Sequence, residues 1–340
     1  MPDPQSIAGF DVVRAVGSGA HSVIYCVRDR SEKLFALKVV EKESPSDQRF
    51  LDQAVAEHEV SSNFDHPLLR KSYRLLRERK LIRTSTVRVL MEYVEGKPLE
   101  QFRTADVTVQ ADLCRQVGEG LAAMHAKGFV HADMKPNNVM VTDEKQVKII
   151  DFGQSCPIHT RKERVQGTPD YIAPEQVRKE SLTAQTDVFN LGATMYWLLT
   201  GEHVPTLIPK TKKQAGTLKD NRRIESPASL NPAVAPALSS VVMDCIESNP
   251  MDRPRTMREV VDRIRIAQSQ LARAKPGTGE GEASAADDLD EDAGASPRRS
   301  RTRGPEAEPT QATGRNGGES WDTHFGTWVG GVIGPKPEVR

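Results

Sequence analysis

The chain has 340 residues, and its 47 acidic and 47 basic side chains give a formal net charge of zero. This balance gives no reason to expect a nucleic-acid partner or an anionic membrane surface. Its four cysteines lack metal-ligand spacing, its first residues lack a signal-peptide profile, and no segment approaches the ~20 apolar residues of a membrane span, so we expect a soluble cytoplasmic protein.

The first part of the sequence predicts a small lobe rich in β-strands. Residues 10–40 are dominated by β-forming side chains and are interrupted by a turn at Gly17-Ser18-Gly19. Residues 47–63 have a helix-forming composition, with apolar side chains spaced three and four apart. Two more strands are expected within residues 75–94. Together these elements predict an N-terminal lobe of one sheet and one helix over about residues 10–94.

The following residues predict a larger, mostly helical lobe over about residues 97–272. Residues 205–236 are rich in proline and lysine and are expected to include an exposed loop. Short strands are predicted at 139–141 and 147–150. Helices are predicted at 109–126, 187–200, 238–246 and 257–271, of which 187–200 is apolar enough to be a buried central helix. The fold class is therefore α+β, with two lobes.

The composition changes at residue 276, and residues 276–340 are predicted to be a disordered, low-complexity tail. They are rich in small, polar and charged residues and cannot bury enough apolar surface to offset their chain entropy. Residues 321–333 are the exception, since they include Trp321, Phe325 and Trp328. Two interpretations remain open for these aromatic residues: a docking segment for a partner, or no specific role.

The features most informative about function are polar residues in recognisable motifs. Lys38 follows Phe-Ala-Leu, the sequence His-Ala-Asp-Met-Lys-Pro-Asn-Asn spans residues 131–138, and Asp-Phe-Gly begins at Asp151. One cation, a base and two metal-binding groups are what phosphoryl transfer from a nucleotide requires, because that chemistry is mostly positioning and charge neutralisation. With this order and spacing, the chain resembles the eukaryotic-type protein kinase family over about residues 10–272.

The resemblance implies a two-lobed protein kinase fold that binds ATP between its lobes. The glycine-rich loop would approach the phosphates through its backbone, and Lys38 would contact the α- and β-phosphates. Glu57 is expected to hold Lys38 in place, with Glu59 as the rival choice on another face of the helix. The expected nucleotide-binding residues are Val16, Gly17, Gly19, Ile24, Ala36, Lys38, Glu57, Met91, Glu92, Val94 and Met140.

The resemblance also assigns the chemistry to the residues around Asp133. Asp133 would accept or orient the proton of the substrate hydroxyl, and Lys135 would stabilise charge on the transferred phosphoryl group. Asn138 and Asp151 would bind Mg²⁺, which prefers oxygen ligands. The expected cofactors are therefore Mg²⁺ and ATP, the latter as co-substrate, and the catalytic set is Asp133, Lys135 and Lys38.

Two further segments indicate a protein substrate with serine or threonine as the acceptor. Lys135-Pro136 and the run Gly-Thr-Pro-Asp-Tyr-Ile-Ala-Pro-Glu at 167–175 are similar to the Ser/Thr-type members of the family. By the same resemblance, Thr168 would lie near Asp133, Glu175 would pair with Arg253, and Asp187 would brace the catalytic loop. This peptide-docking run makes a small-molecule kinase an unfavourable interpretation.

The sequence departs from the family pattern at two places. Ala132 and Arg164 replace the arginine and the phosphorylatable threonine that often form an activation switch, so we expect activity without phosphorylation of the activation segment. Ser61 and Ser72 stand where apolar side chains are usual behind the active site, which predicts a loosely held helix around Glu57 and a gain in basal activity for Ser61→Leu or Ser72→Leu. The alternative function is a pseudokinase or an ATP-binding scaffold that acts through partners.

Overall fold

The computed structural model describes residues 5–19, 21–80, 83–102, 104–205 and 224–274. The predicted tail at 276–340 and its aromatic segment at 321–333 lie outside these residues, as does most of the loop predicted at 205–236. Within the described residues, no helix is long and apolar enough to cross a membrane. The α+β class and the two-lobed kinase fold are confirmed.

The N-terminal lobe is an antiparallel sheet covered by one helix. Within the described residues, the sheet has six strands in the order β1-β2-β3-β4-β6-β5. The strands are β1 Ser6–Ile7, β2 Phe10–Gly19, β3 Ser22–Arg28, β4 Leu34–Glu41, β5 Ser72–Lys80 and β6 Arg83–Glu92. Helix α1, Gln48–Ser61, packs Leu51 and Ala54 against the sheet. Because Lys38 lies on β4 and Glu57 on α1, this packing brings the two side chains together.

The chain enters the C-terminal lobe through Gly96, which has a φ of 156°. A Cβ atom at this position would lie 2.4 Å from the carbonyl oxygen of Val141, so only glycine fits without a shift of backbone. Strand β7, Lys97–Pro98, then pairs with β9, Val139–Val141. The chain that connects the two lobes therefore packs its backbone directly against the backbone of β9.

The C-terminal lobe is a helical core with short strands at its upper surface. Its large apolar cluster includes residues of the helices Val107–Ala126 (α2), Ala184–Thr200 (α4), Pro236–Cys245 (α6) and Met257–Ala274 (α7), and α4 is buried along most of its length. The remaining strands are β8 Phe129–Val130, β10 Val147–Ile149 and β11 Cys156–Pro157. The helices are α2 Val107–Ala126, α3 Pro174–Val177, α4 Ala184–Thr200, α5 Pro227–Leu230, α6 Pro236–Cys245 and α7 Met257–Ala274.

The predicted helices differ from the observed ones chiefly at their N-terminal ends. Helix α2 begins at Val107, two residues before its predicted start, because Asp106 accepts a hydrogen bond from the amide of Thr108 at 2.8 Å and caps the helix. Helix α4 begins at Ala184, where the polar residues of the first turn gave no apolar periodicity. Its C-terminal end lies at Thr200 as predicted, followed by Gly201 in a left-handed conformation with a φ of 79°.

Candidate active site

Lys38 and Glu57 form a buried ion pair between the sheet and helix α1. Lys38 Nζ lies 2.5 Å from Glu57 Oε2, and Glu57 is 3% exposed. Glu59, the rival choice, instead contributes its backbone carbonyl to Asn63 and has no ion pair with Lys38 in the described part of the chain. Burial opposes the charge on Lys38, but Glu57 and Asp151 outweigh it and raise its pKa above the usual value. The carboxylates around Lys38 therefore favour its protonated form.

The glycine-rich loop is the β2–β3 hairpin, and the expected adenine-binding residues fall mainly into two apolar clusters. Gly17 pairs with Ile24, and Gly19 with Ser22, across the β2–β3 hairpin. Ala36 and Met91 are directly paired on β4 and β6 and pack in one apolar cluster with Ile24. A second cluster is formed by Val94, Met140 and Ile150 from the connection between the lobes and from the lower lobe. Val16 is buried, at 3% exposure.

Glu92 follows Met91 at the end of β6, and its side chain contacts Lys148 and Lys71. Its carboxylate lies 2.8 Å from Lys148 Nζ and accepts a hydrogen bond from the Lys71 amide at 3.1 Å. Its own amide donates to the Lys71 carbonyl at 2.9 Å. These contacts fix the start of the connection between the lobes, so any contact of Glu92 with adenine would involve its backbone carbonyl.

The catalytic loop places Asp133 among donors on three sides. Asp133 Oδ1 accepts hydrogen bonds from the amide and the hydroxyl of Thr168, both at 3.0 Å, and Oδ2 lies 3.1 Å from Lys135 Nζ. Lys135 also donates to the Thr168 hydroxyl at 2.7 Å. The expected proximity of Thr168 to both residues is therefore present. These contacts orient the carboxylate, which suits a group that accepts a proton.

Asn138 and Asp151 offer oxygen atoms of the kind that Mg²⁺ prefers. Asn138 uses its amide nitrogen to donate to the Asp133 carbonyl at 2.8 Å, which leaves its amide oxygen as the available ligand atom. Burial opposes the charge on Asp151, but Lys38 and the Gly153 amide, 2.9 Å from Oδ1, lower its pKa. No cluster of three metal-ligating acids, histidines or cysteines occurs in the described residues. This donor set fits Mg²⁺, which commonly takes one or two carboxylates together with phosphate oxygens.

Asp187, at the start of α4, holds the backbone of the catalytic loop. Its two carboxylate oxygens accept hydrogen bonds from the amides of His131 and Ala132, each at 2.8 Å, and His125 Nε2 lies 2.8 Å away. Burial alone would raise the pKa of Asp187, but the hydrogen bonds from His125 and the loop amide lower it. Ala132 has a φ of 61°, a strained conformation for a residue with a side chain. The carboxylate therefore holds in place a loop that would otherwise relax.

The expected pair of Glu175 and Arg253 is fully buried below the activation segment. Arg253 donates to both oxygens of Glu175, at 2.8 and 2.9 Å, in a bidentate contact. The same guanidinium donates to the carbonyls of Glu247 and Gln185. Since Glu175 is the last residue of the run 167–175 and lies in the first turn of helix α3, the pair anchors this run on the helical core.

Comparisons with known proteins agree with this arrangement. The family described as "Protein kinase domain" matches residues 10–263. The chain is 34% identical to an Aurora kinase of Saccharomyces cerevisiae over 58% of its own length and 54% of the relative's. It is 28% identical to the serine/threonine-protein kinase PknB of Mycolicibacterium smegmatis, over 79% of this chain and 45% of the relative. For PknA of Mycobacterium tuberculosis the identity is 29%, over 73% and 58%.

The chain belongs to the protein kinase family. The family membership predicted from the motifs is confirmed by these matches, and PknB and PknA are named as serine/threonine-protein kinases. They give no support to the alternative of a pseudokinase. The chain spans about half the length of the curated relatives it matches.

Behind the active site, this kinase combines aromatic packing with hydrogen bonds. The ring of Phe152 lies 5.9 Å from that of His131 and 5.8 Å from that of Phe64. Phe64 belongs to none of the sequence motifs. Ser61 donates to the Arg70 carbonyl at 3.0 Å, and Ser72 shares a hydrogen bond with His58 at 2.7 Å. At the two positions where the sequence predicted weaker apolar burial, both serines instead join α1 to the chain entering β5 through hydrogen bonds.

These hydrogen bonds reverse the effect expected for Ser61→Leu. Ser61 is 3% exposed, so a leucine would lose the hydrogen bond and overpack its site, at a combined cost of about 2–4 kcal/mol in unfolding free energy. We expect kcat to fall or stay the same, measured together with urea unfolding. Ser62→Leu, at the exposed next position, is the matched control. A higher kcat for Ser61→Leu alone would restore the earlier hypothesis.

An apolar cluster, a strand pair and a lysine side chain hold the activation segment in place. Ala132, Cys156 and Leu182 belong to one buried apolar cluster beneath the segment, and β11 pairs with β8. Lys162 donates to the backbone and side-chain oxygens of Gln154 at 2.6 and 3.0 Å. Burial lowers the pKa of Lys162, although Cys156 and Asp133 partly oppose that change. A half-buried lysine and an apolar cluster thus hold the segment together.

We expect full activity from protein that carries no phosphate on residues 154–166. Recombinant chain treated with a phosphatase, and verified as unphosphorylated by mass spectrometry, should retain its initial rate of phosphoryl transfer within about twofold, because the contacts of Lys162 and Cys156 are already formed. Lys162→Met should lower that rate, whereas Lys179→Met on the exposed surface should not. Activity that disappears with dephosphorylation and returns with rephosphorylation in this segment would refute the prediction.

Proposed function

We propose that this chain phosphorylates serine or threonine side chains of proteins, with Mg-ATP as the phosphoryl donor. The observation that carries the proposal is the arrangement of Asp133, Lys135 and Thr168, whose polar atoms lie within 3.1 Å of one another. Asp151 interacts electrostatically with both Lys135 and Lys38. Separate from this set, Glu175 and Arg253 fix the peptide-docking run, as protein substrates would require.

In the proposed reaction, the substrate hydroxyl oxygen forms a bond to the γ-phosphorus of ATP, and the bond from that phosphorus to the β–γ bridging oxygen breaks. Asp133 orients the hydroxyl and receives its proton, Lys135 donates to the transferred group, and Lys38 neutralises charge on the α- and β-phosphates. Asn138 and Asp151 would hold Mg²⁺, which neutralises charge on the β- and γ-phosphates when bound. The products are ADP and the phosphorylated side chain.

The apolar residues from both lobes would form the binding site for adenine. Ile24, Ala36 and Met91 would cover one face of the base and Met140 the other, while Val16, Gly17 and Gly19 would enclose the ribose and phosphates. The support is that Ile24, Ala36 and Met91 pack in one apolar cluster of the N-terminal lobe, and that Met140 packs with Val94 in another. The backbone of Glu92 and Val94 would contact the polar edge of the base, since the Glu92 side chain is already paired.

We further propose a catalytic domain at residues 10–272, followed by a separate tail at 276–340. The free, buried cysteines of the described residues are compatible with a reducing compartment such as the cytoplasm. A docking role for residues 321–333 stays a prediction, as do the expected absence of nucleic-acid partners and of membrane association.

The proposal is tested with radiolabelled ATP, Mg²⁺ and a peptide library that presents serine, threonine or tyrosine as the acceptor. Wild-type chain should label serine and threonine peptides, and the Asp133→Asn chain should not. Asp143→Asn, at an exposed turn between β9 and β10, is the matched control and should behave as wild type. Equal labelling by wild type and Asp133→Asn, or labelling of tyrosine peptides alone, would contradict the proposal.

A further inference from the structure

A second cation shares the carboxylate of Glu57 with Lys38. Arg70 Nη2 lies 3.2 Å from Glu57 Oε1, while Lys38 Nζ contacts Oε2. Arg70 is 6% exposed, although it stands next to Lys71 in a strongly basic stretch whose other described members lie at the surface. A guanidinium is buried in this way only where opposite charges compensate for its lost hydration. Its position therefore depends on the site around Glu57.

The backbone of Arg70 joins helix α1 to the strand that leads to Asp151. Its amide donates to the Ile149 carbonyl at 2.9 Å, next to the parallel bridge between Leu69 and Ile149. Its carbonyl accepts the hydrogen bond from Ser61, one turn beyond Glu57 on α1. Side chain and backbone of one residue thus contact both the helix that carries Glu57 and the strand that ends before the metal-binding aspartate.

The two cations have different tasks once a nucleotide is bound. Lys38 would then interact with the phosphates as well as with Glu57, and this weakens its attraction to Glu57. Glu57 is almost fully buried, so a weaker contact with Lys38 would leave its carboxylate charge poorly compensated. That loss of free energy would favour an outward movement of α1, which would return the carboxylate to water. Arg70 lies on the other oxygen of Glu57, away from Lys38, and can keep its contact throughout the reaction.

We propose that Arg70 is a positioning residue for phosphoryl transfer: it holds Glu57, and with it helix α1, so that Lys38 is free to bind the nucleotide phosphates. This proposal rests on the proposed function, since it concerns the same site. It also accounts for Ser61, because its hydrogen bond to the Arg70 carbonyl takes the place of apolar packing at this position.

The test compares Arg70→Met and Arg70→Lys with Arg74→Met, an exposed arginine on β5. At a temperature where all variants are folded by circular dichroism, Arg70→Met should lower kcat/KM for ATP about tenfold through misplacement of Lys38. Arg70→Lys, which keeps a cation beside Glu57, should have a kcat/KM for ATP within about threefold of wild type. Arg74→Met should have the same kcat/KM as wild type. If Arg70→Met does not fold, Arg70→Gln takes its place, since it keeps a hydrogen-bond donor without the charge.

A double-mutant cycle with Glu57→Gln separates positioning from general stability. If Arg70 acts through Glu57, adding Arg70→Met to Glu57→Gln should change kcat/KM less than about twofold. An undiminished tenfold loss in that background, or wild-type kcat/KM in the folded Arg70→Met chain, would overturn the proposal.

The rise in Tm caused by Mg-ATP gives a readout that does not depend on turnover. This rise should be smaller for Arg70→Met than for wild type, because weaker binding stabilises the folded state less. A wild-type chain that is stabilised by Mg-ATP but transfers no phosphate would refute the proposed function alone, and the Tm comparison would still decide the role of Arg70. An equal rise in both chains would count against that role.

Discussion

Replacing Asp133 with asparagine should lower kcat by about 10³-fold while the affinity for Mg-ATP stays near that of wild type. Asparagine has the same shape and can still accept the Thr168 hydrogen bonds at Oδ1, which are both 3.0 Å long. It cannot take up a proton, and its amide group would face the Lys135 ammonium, now 3.1 Å from a carboxylate oxygen. The loss should therefore appear in the transfer step and leave nucleotide binding intact.

Initial rates at saturating ATP and peptide measure kcat, and calorimetric titration with Mg-ATP measures affinity. Asp143→Asn repeats the chemical change at an exposed turn and should leave both quantities unchanged. A fall in kcat of less than tenfold for Asp133→Asn would show that Asp133 does not act on the proton. A parallel loss of ATP affinity would assign it to nucleotide binding instead.

Replacing Arg253 with methionine should lower the free energy of unfolding by about 3–5 kcal/mol, because it leaves the Glu175 carboxylate buried without its partner. Glu175 is 2% exposed and receives both of its charged hydrogen bonds from this one guanidinium. The carbonyls of Glu247 and Gln185 would lose donors as well. For a domain of this size the change corresponds to a Tm lower by about 10 °C.

Urea and thermal unfolding of the purified chain measure the effect. Arg255→Met, two residues further along and exposed, should change the unfolding free energy by less than about 0.5 kcal/mol. The double variant Glu175→Met/Arg253→Met should be more stable than Arg253→Met, because no charge remains buried alone. Equal stability of Arg253→Met and wild type would mean that the pair contributes nothing net to the fold.

The sequence predicted the order of elements well because most elements have one clear apolar face. Helix 187–200 is apolar on nearly all sides and is the buried centre of the lower lobe. The motif residues Lys38, Asp133, Asn138 and Asp151 were found because their spacing matches a whole family, whereas no periodicity marks them. Helix starts were less accurate, as at Val107, since a cap such as Asp106 is polar and lies outside the periodic pattern.

The contacts that could not be predicted are those made between distant segments by residues of ordinary type. Arg70 lies in a run of basic residues, for which a solvated surface is the default expectation, and only the tertiary structure shows it under α1. Ser61 and Ser72 were interpreted by comparison with an apolar pattern, yet each has a hydrogen-bond partner from another segment. Likewise, Lys162 bends back to Gln154 within the activation segment.

The attachment of the catalytic loop to Asp187 divides the cleft into a preassembled half and an adjustable half. Asp133, Lys135, Thr168 and Asn138 are joined to one another within the lower lobe, and Asp187 ties their loop to helix α4. Lys38 and Glu57 belong to the upper lobe, across the connection at Gly96. Rotation about that connection would change the distance from Lys38 to Asp151 but not the geometry around Asp133, so ADP could exchange for ATP while the machinery for the acceptor hydroxyl stays assembled.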